Sequence, residues 1–154
     1  MPTKPFLAAS AFLLLSSALD AQWLSRMNSP LPLWADSALV QTGFWGRYDL
    51  TSRTNPQVAA GDLDGDGLWD VAVSIVDNGG RRRGIAIVHQ IDRSVHIVGA
   101  GQPIGNGHDE LPSNGEWGVG ELLGHHSGIR IVDWHTSAWL VWNGRSYVWV
   151  QDSD

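Results

Sequence analysis

The chain has 154 residues, 43% of them hydrophobic, which is enough for one packed domain and short of the size at which chains divide. Cysteine is absent, so no disulfide can hold the fold, and a bound metal is the natural substitute in a small domain. The formal charge is −6, four of those negatives fall in one short acidic run and the rest is close to balance, which excludes the broad basic footprint of a nucleic-acid binder.

Residues 1–21 read as a secretory signal peptide. Lys4, the only lysine, gives a positive start, Phe6 to Leu15 is an apolar run broken only by Ser10, and small residues follow at Ser16, Ser17, Ala18 and Ala21. The apolar run is too short for a comfortable membrane span, so no stable membrane insertion is expected after cleavage. Residues 22–56 form an N-terminal packing segment. Pro30, Pro32 and Pro56 punctuate it, which predicts a short helix or turn near 22–28 and then extended pieces. Its aromatics Trp23, Trp34, Phe44 and Trp45 are expected to be core.

From residue 57 to 154 the pattern is that of a β domain. Gln57 to Gly61 leads into Asp62-Leu63-Asp64-Gly65-Asp66-Gly67-Leu68-Trp69-Asp70, and the β-branched stretch Trp69 to Val76 follows. In the acidic run, carboxylates stand at the first, third, fifth and ninth positions with glycines between them. A hard cation such as Ca²⁺ takes about six to eight oxygens, and carboxylates alternating along a tightly curled loop can all point inward. Without an ion those four side chains would repel one another. The run is not an EF-hand, because Val73 stands where that loop needs a bidentate glutamate, and the flanks read as strands rather than helices.

The turn Asp77-Asn78-Gly79-Gly80 precedes Arg81-Arg82-Arg83, which reads as a solvated hairpin tip with anion binding as the alternative. Strands are predicted at Gly84 to His89 and Val95 to Val98, a short element at Glu116 to Leu123 and another strand at Ile129 to Asp133. Between them, 99–115 is a long glycine-rich loop carrying His108, Asp109 and Glu110, which with His125 and His126 could assemble a second metal site, although the spacing fits no zinc signature. The chain closes in a hairpin about Asn143-Gly144, the preferred pair for a type I′ turn, in a register that sets Leu140 opposite Tyr147 and Trp139 opposite Val148. Leu140, Trp142, Tyr147 and Trp149 then share one face, and Trp139, Val141, Val148 and Val150 the other.

The stretch from Val58 to Val73, VAAGDLDGDGLWDVAV, resembles the calcium loop of FG-GAP and VCBS repeats, found in integrin-alpha propellers and many bacterial surface proteins. The resemblance implies Ca²⁺ held by Asp62, Asp64, Asp66, Asp70 and the Leu68 carbonyl. One copy is present, where a propeller needs about four to eight blades. The order of loop, Val98-Gly99-Ala100-Gly101 and a closing Trp142-Asn143-Gly144 also resembles small single-domain bacterial secreted proteins. The expected fold is mainly β, an antiparallel sandwich or propeller-blade-like meander with one calcium loop. The expected function is that of a periplasmic or extracellular calcium-binding module with a structural or binding role and a protein or glycan partner. Two alternatives are a carbohydrate-binding module using exposed tryptophans, and a small hydrolase using His108, Asp109, His125 or His135 in the 108–135 region. The leader makes its own prediction: N-terminal sequencing of the native protein should find a start near Leu19 or Gln22, and an intact Met1 would refute cleavage.

Overall fold

The computed structural model describes residues 30–113, 115–122, 126–133, 135 and 137–152. The expected leader and the helix or turn expected near 22–28 lie outside these. Among the described residues one α-helix and a 3₁₀ turn precede nine strands: α1 (Leu33–Gln41), the turn Phe44–Gly46, β1 (Tyr48–Leu50), β2 (Val58–Gly61), β3 (Asp70–Asp77), β4 (Arg83–Val88), β5 (Val95–Gly99), β6 (Glu116–Glu121), β7 (Ser127–Val132), β8 (Ser137–Trp142) and β9 (Tyr147–Gln151). No described helix is long and apolar enough to cross a membrane.

The strands make two antiparallel sheets, as the alternation from residue 57 predicts. In the first, β3, β4 and β5 run in order, and the other edge of β3 is divided between two short strands, β2 against Asp70–Val73 and β1 against Ile75–Asp77. The second is a meander, β6-β7-β8-β9. The first sheet is buried on both faces. Val71, Val73 and Ile75 with Ala86 and Val88 pack under α1, Phe44 and Tyr48. Ala72, Ile85, Ile87 and Val98 meet Trp117, Ile129, Ile131 and Leu140 of the second sheet. This double burial is why β3 and β4 read as continuous apolar runs instead of a polar–apolar alternation. Between the layers Trp117 Nε1 donates to the buried Ser74 hydroxyl at 2.8 Å, and that hydroxyl donates to the Pro56 carbonyl at 2.9 Å.

The helix corrects the expectation of extended pieces in 22–56. Pro32 takes the N-cap position with an extended backbone, and its carbonyl accepts the amides of Ala35 and Asp36. A proline ahead of the first turn has no N–H to lose, so Pro30 and Pro32 precede the helix without interrupting it. Ala35, Ala38 and Leu39 form the buried face, while Leu33 and Val40 lie in solvent. The apolar residues therefore never line up as one stripe in the sequence. Of the aromatics expected in the core, Phe44 is buried, Trp34 and Trp45 are half-buried against the same cluster, and Trp23 lies outside the described residues. Arg93, in the β4–β5 turn, stacks its guanidinium 4.8 Å over the Trp34 ring.

The closing hairpin keeps its predicted faces but shifts its register. Trp142 pairs with Tyr147, Leu140 with Trp149 and Trp139 with Val150. The Asn143 amide donates to the Ser146 carbonyl, and its side-chain oxygen accepts the amides of Arg145 and Ser146. The turn centre therefore moves to Gly144-Arg145, with Gly144 at φ +91° and Asn143 outside the left-handed region, as in a type II′ turn with glycine first. A slip of two residues preserves side-chain parity, so Leu140, Trp142, Tyr147 and Trp149 still face inward together.

At the other end of the molecule Asp77 closes the β3–β4 turn. Its carboxylate accepts the amides of Arg81 and Arg82 and pairs with the Arg82 guanidinium at 2.9 Å. The Arg82 side chain, helped by those amides, holds the Asp77 carboxyl down at about 2. A depressed folded-state value contributes stability above the unfolded value near ~4 that is lost as pH falls through the folded one. Asp77→Asn should therefore be less stable than the parent at pH 6, and the gap should close between about pH 4 and 2 when urea unfolding is followed in steps of pH.

Candidate metal centre

The acidic run is the connection between β2 and β3, and the ladder fixes its ends, because Gly61 pairs with Asp70. Carboxylates do the curling. Asp62 accepts the amides of Gly65 at 2.8 Å and Gly67 at 3.1 Å, Asp64 accepts that of Asp66 at 3.0 Å, and Asp66 accepts that of Leu68 at 2.7 Å. Gly65 and Gly67 stand at φ +85° and +87°, conformations that a side chain at either position would resist. Between the acids, Leu63 is driven fully into the inter-sheet core and anchors the loop. The Asp62 carbonyl accepts the Ser127 amide at 2.7 Å, which ties the loop to β7.

So shaped, Asp62, Asp64 and Asp66 each present an oxygen within 4.8 Å of the other two. The geometry and the donor chemistry suit a hard cation. Among the described residues no lysine or arginine pairs with these three. Leu68 follows in the same loop with its side chain exposed.

Asp70 belongs to a second, overlapping group. It is fully buried at the start of β3, with one oxygen accepting the Leu63 amide and the other the Gln90 amide, both at 2.8 Å. Burial pushes its carboxyl up from the ordinary range, the two amides oppose that, and the nearby Asp64 adds to it. Val71 pairs with Val88, so the next residues outward, Asp70 and His89, stand across from each other. Asp64, Asp70 and His89 also lie within 4.8 Å of one another, with the buried His89 Nδ1 3.4 Å from Asp64. Asp64 is thus shared by both groups.

His89 Nε2 lies 2.8 Å from the Tyr147 hydroxyl, which also reaches the Leu63 carbonyl at 3.4 Å. Ser94 bridges His89 and His96, and Trp142 closes the aromatic cluster against both imidazoles. Burial, reinforced by the charges of Asp70, Asp64 and Asp62, pushes the Tyr147 phenol far up, so it stays a neutral hydroxyl. Neither His89 nor Tyr147 is marked in the sequence near the loop. Strand register brings the first and the closing hairpin brings the second.

The other candidates fare differently. Asp109 is paired with Arg82 at 3.1 Å, and Arg82 with Asp77, while Arg83 donates to the Ser113 carbonyl. Two of the three arginines at the tip therefore serve the fold. Neither ion-holding group among the described residues includes His108, Asp109, Glu110, His126 or His135. His125 lies outside the described residues. Comparison of the chain with protein-family models, with curated proteins and with solved structures finds no match.

Tyr147→Phe removes the hydroxyl facing His89 and leaves a buried imidazole nitrogen without that partner. The substitution should lower the unfolding free energy by about 1–3 kcal/mol in urea titrations made in chelator, with the far-ultraviolet spectrum unchanged.

Proposed function

We propose that the chain is a secreted or periplasmic calcium-binding β module, with a structural or binding role and a loop of FG-GAP/VCBS type. The observation that carries this reading is the convergence of Asp62, Asp64 and Asp66 within 4.8 Å with no arginine or lysine among the described residues pairing with them. Three like charges at such a distance are tolerated best with a cation among them. An all-oxygen carboxylate set favours Ca²⁺ or Mg²⁺ over softer metals, and Mg²⁺ binds worse because it demands a tighter octahedron and dehydrates reluctantly. The spacing adds Asp70 and the Leu68 carbonyl as further ligands. The amide bonds that Asp70 already accepts do not bar it, since each carboxylate oxygen has a second lone pair. Export is inferred from the leader at 1–21.

The ion's work is then mechanical. It neutralises the loop that joins β2 to β3, and through Asp70 that loop is bonded to Gln90 after β4. Binding free energy becomes folding free energy: ligand at about a hundred times its dissociation constant adds roughly 2.7 kcal/mol. In a domain of this size that is several degrees of melting temperature.

Thermal melts in excess chelator and in millimolar calcium test the reading. Wild type should melt several degrees higher in calcium, and Asp66→Ala should abolish the shift. Asp152→Ala, which breaks contacts to Ser137, Trp139 and Arg130, should lower both melting temperatures and leave the shift intact. Equal wild-type melts together with no binding heat by calorimetry would reduce the loop to an acidic turn.

A further inference from the structure

Beside the acidic loop lies a groove of about 670 Å³, within the range of small-molecule sites. It opens where β2 and β6 meet, each paired to one neighbour in its own sheet. Gly61 and Gly120 line it. A Cβ on Gly61 would lie 2.6 Å from the Val119 side chain and one on Gly120 3.0 Å from the Trp139 ring, so neighbouring side chains pack directly onto both glycines and leave no room for a larger residue there.

On one side stands Trp69, the eighth residue of the loop. It is 69% exposed, the other described tryptophans being buried or half-buried, and no ring or guanidinium among the described residues stacks on it. Glu121, His126 and Ser127 stand in the same groove and offer a carboxylate, an imidazole and a hydroxyl. Among the described residues no lysine or arginine lines it, so an anionic ligand would find no counter-charge from them. Asp62, the other carboxylate in the lining, is turned toward the loop, where its two oxygens accept the amides of Gly65 and Gly67.

One bare aromatic face and a row of neutral or acceptor groups on a glycine floor match a ligand that is itself two-faced and uncharged. A pyranose ring has that character, with a C–H face that lies on the electron-rich face of an indole and hydroxyls around its rim. We propose that this groove binds a neutral saccharide, one ring stacked on Trp69 and its hydroxyls bonded by Glu121, His126 and Ser127. Because Trp69 sits between Leu68 and Asp70, an ion on the loop holds the indole in place and saccharide binding depends on calcium. That dependence rests on the reading of the loop given above, whereas the groove does not.

Native affinity electrophoresis tests it, through gels cast with laminarin, galactomannan, xyloglucan, hydroxyethylcellulose or amylopectin, each run in millimolar calcium and in chelator. At least one neutral polysaccharide should retard wild type in calcium. Trp69→Ala should weaken that by roughly tenfold or more and Trp69→Phe should restore part of it. Both variants should keep the wild-type melting temperature, since so exposed a ring contributes little to packing. Retention of a lysine-rich peptide by wild type but not by Trp69→Ala, with no glycan retardation, would overturn the saccharide and assign the groove to a cationic segment. A calcium-dependent melting shift with no retardation in any gel would sink the groove and leave the metal reading standing. Equal retardation in calcium and chelator would keep the groove and refute its dependence on the ion.

Discussion

A carboxylate with no exposed surface governs this end of the fold. Asp70 begins the central strand, and burial there is costly unless donors meet both oxygens. The donors come from opposite directions in the chain, Leu63 from the loop before β3 and Gln90 from the turn after β4. One side chain therefore fixes where the loop starts to curl, where β3 begins and where β4 ends. With Leu63 pinned beneath it, the loop between is left to turn its remaining carboxylates toward one another.

The layering follows from the same central strand. β3 and β4 are covered by a helix on one face and by a second sheet on the other. Alanines at 35 and 38 let the helix lie close to the strands, and Trp117 reaches across to Ser74 where the sheets meet. The acidic loop and the groove beside it both lie at that meeting of sheets, since the loop's Asp62 carbonyl is bonded to β7. A site built on two sheets inherits the rigidity of both.

Much of this was legible in the sequence for a physical reason: side-chain parity along a strand is a local property. The inward face of the closing hairpin survived a turn shifted by one residue because parity does not change under a slip of two. The convergence of Asp62, Asp64 and Asp66 was legible because a tight loop brings near neighbours together. His89 and Tyr147 were not legible, since register and sheet packing, not spacing, carry them to Asp70 and Leu63. The helix was hidden by prolines that lie ahead of it, and the Asn143-Gly144 turn by an asparagine whose side chain caps the turn instead of entering it.

The divided outer edge of the first sheet has a consequence for the chain in a crowded solution. β1 and β2 are only three and four residues long and meet at a break opposite Ser74, whose amide is taken by the Gln57 carbonyl and whose carbonyl accepts the Thr51 amide. A stray strand arriving there finds no long, straight row of open hydrogen-bonding groups to copy. Splitting a sheet's border into short, separately tethered pieces removes the template on which ordered aggregates grow, and the exposed Asp49 of β1 adds a charge to the same edge.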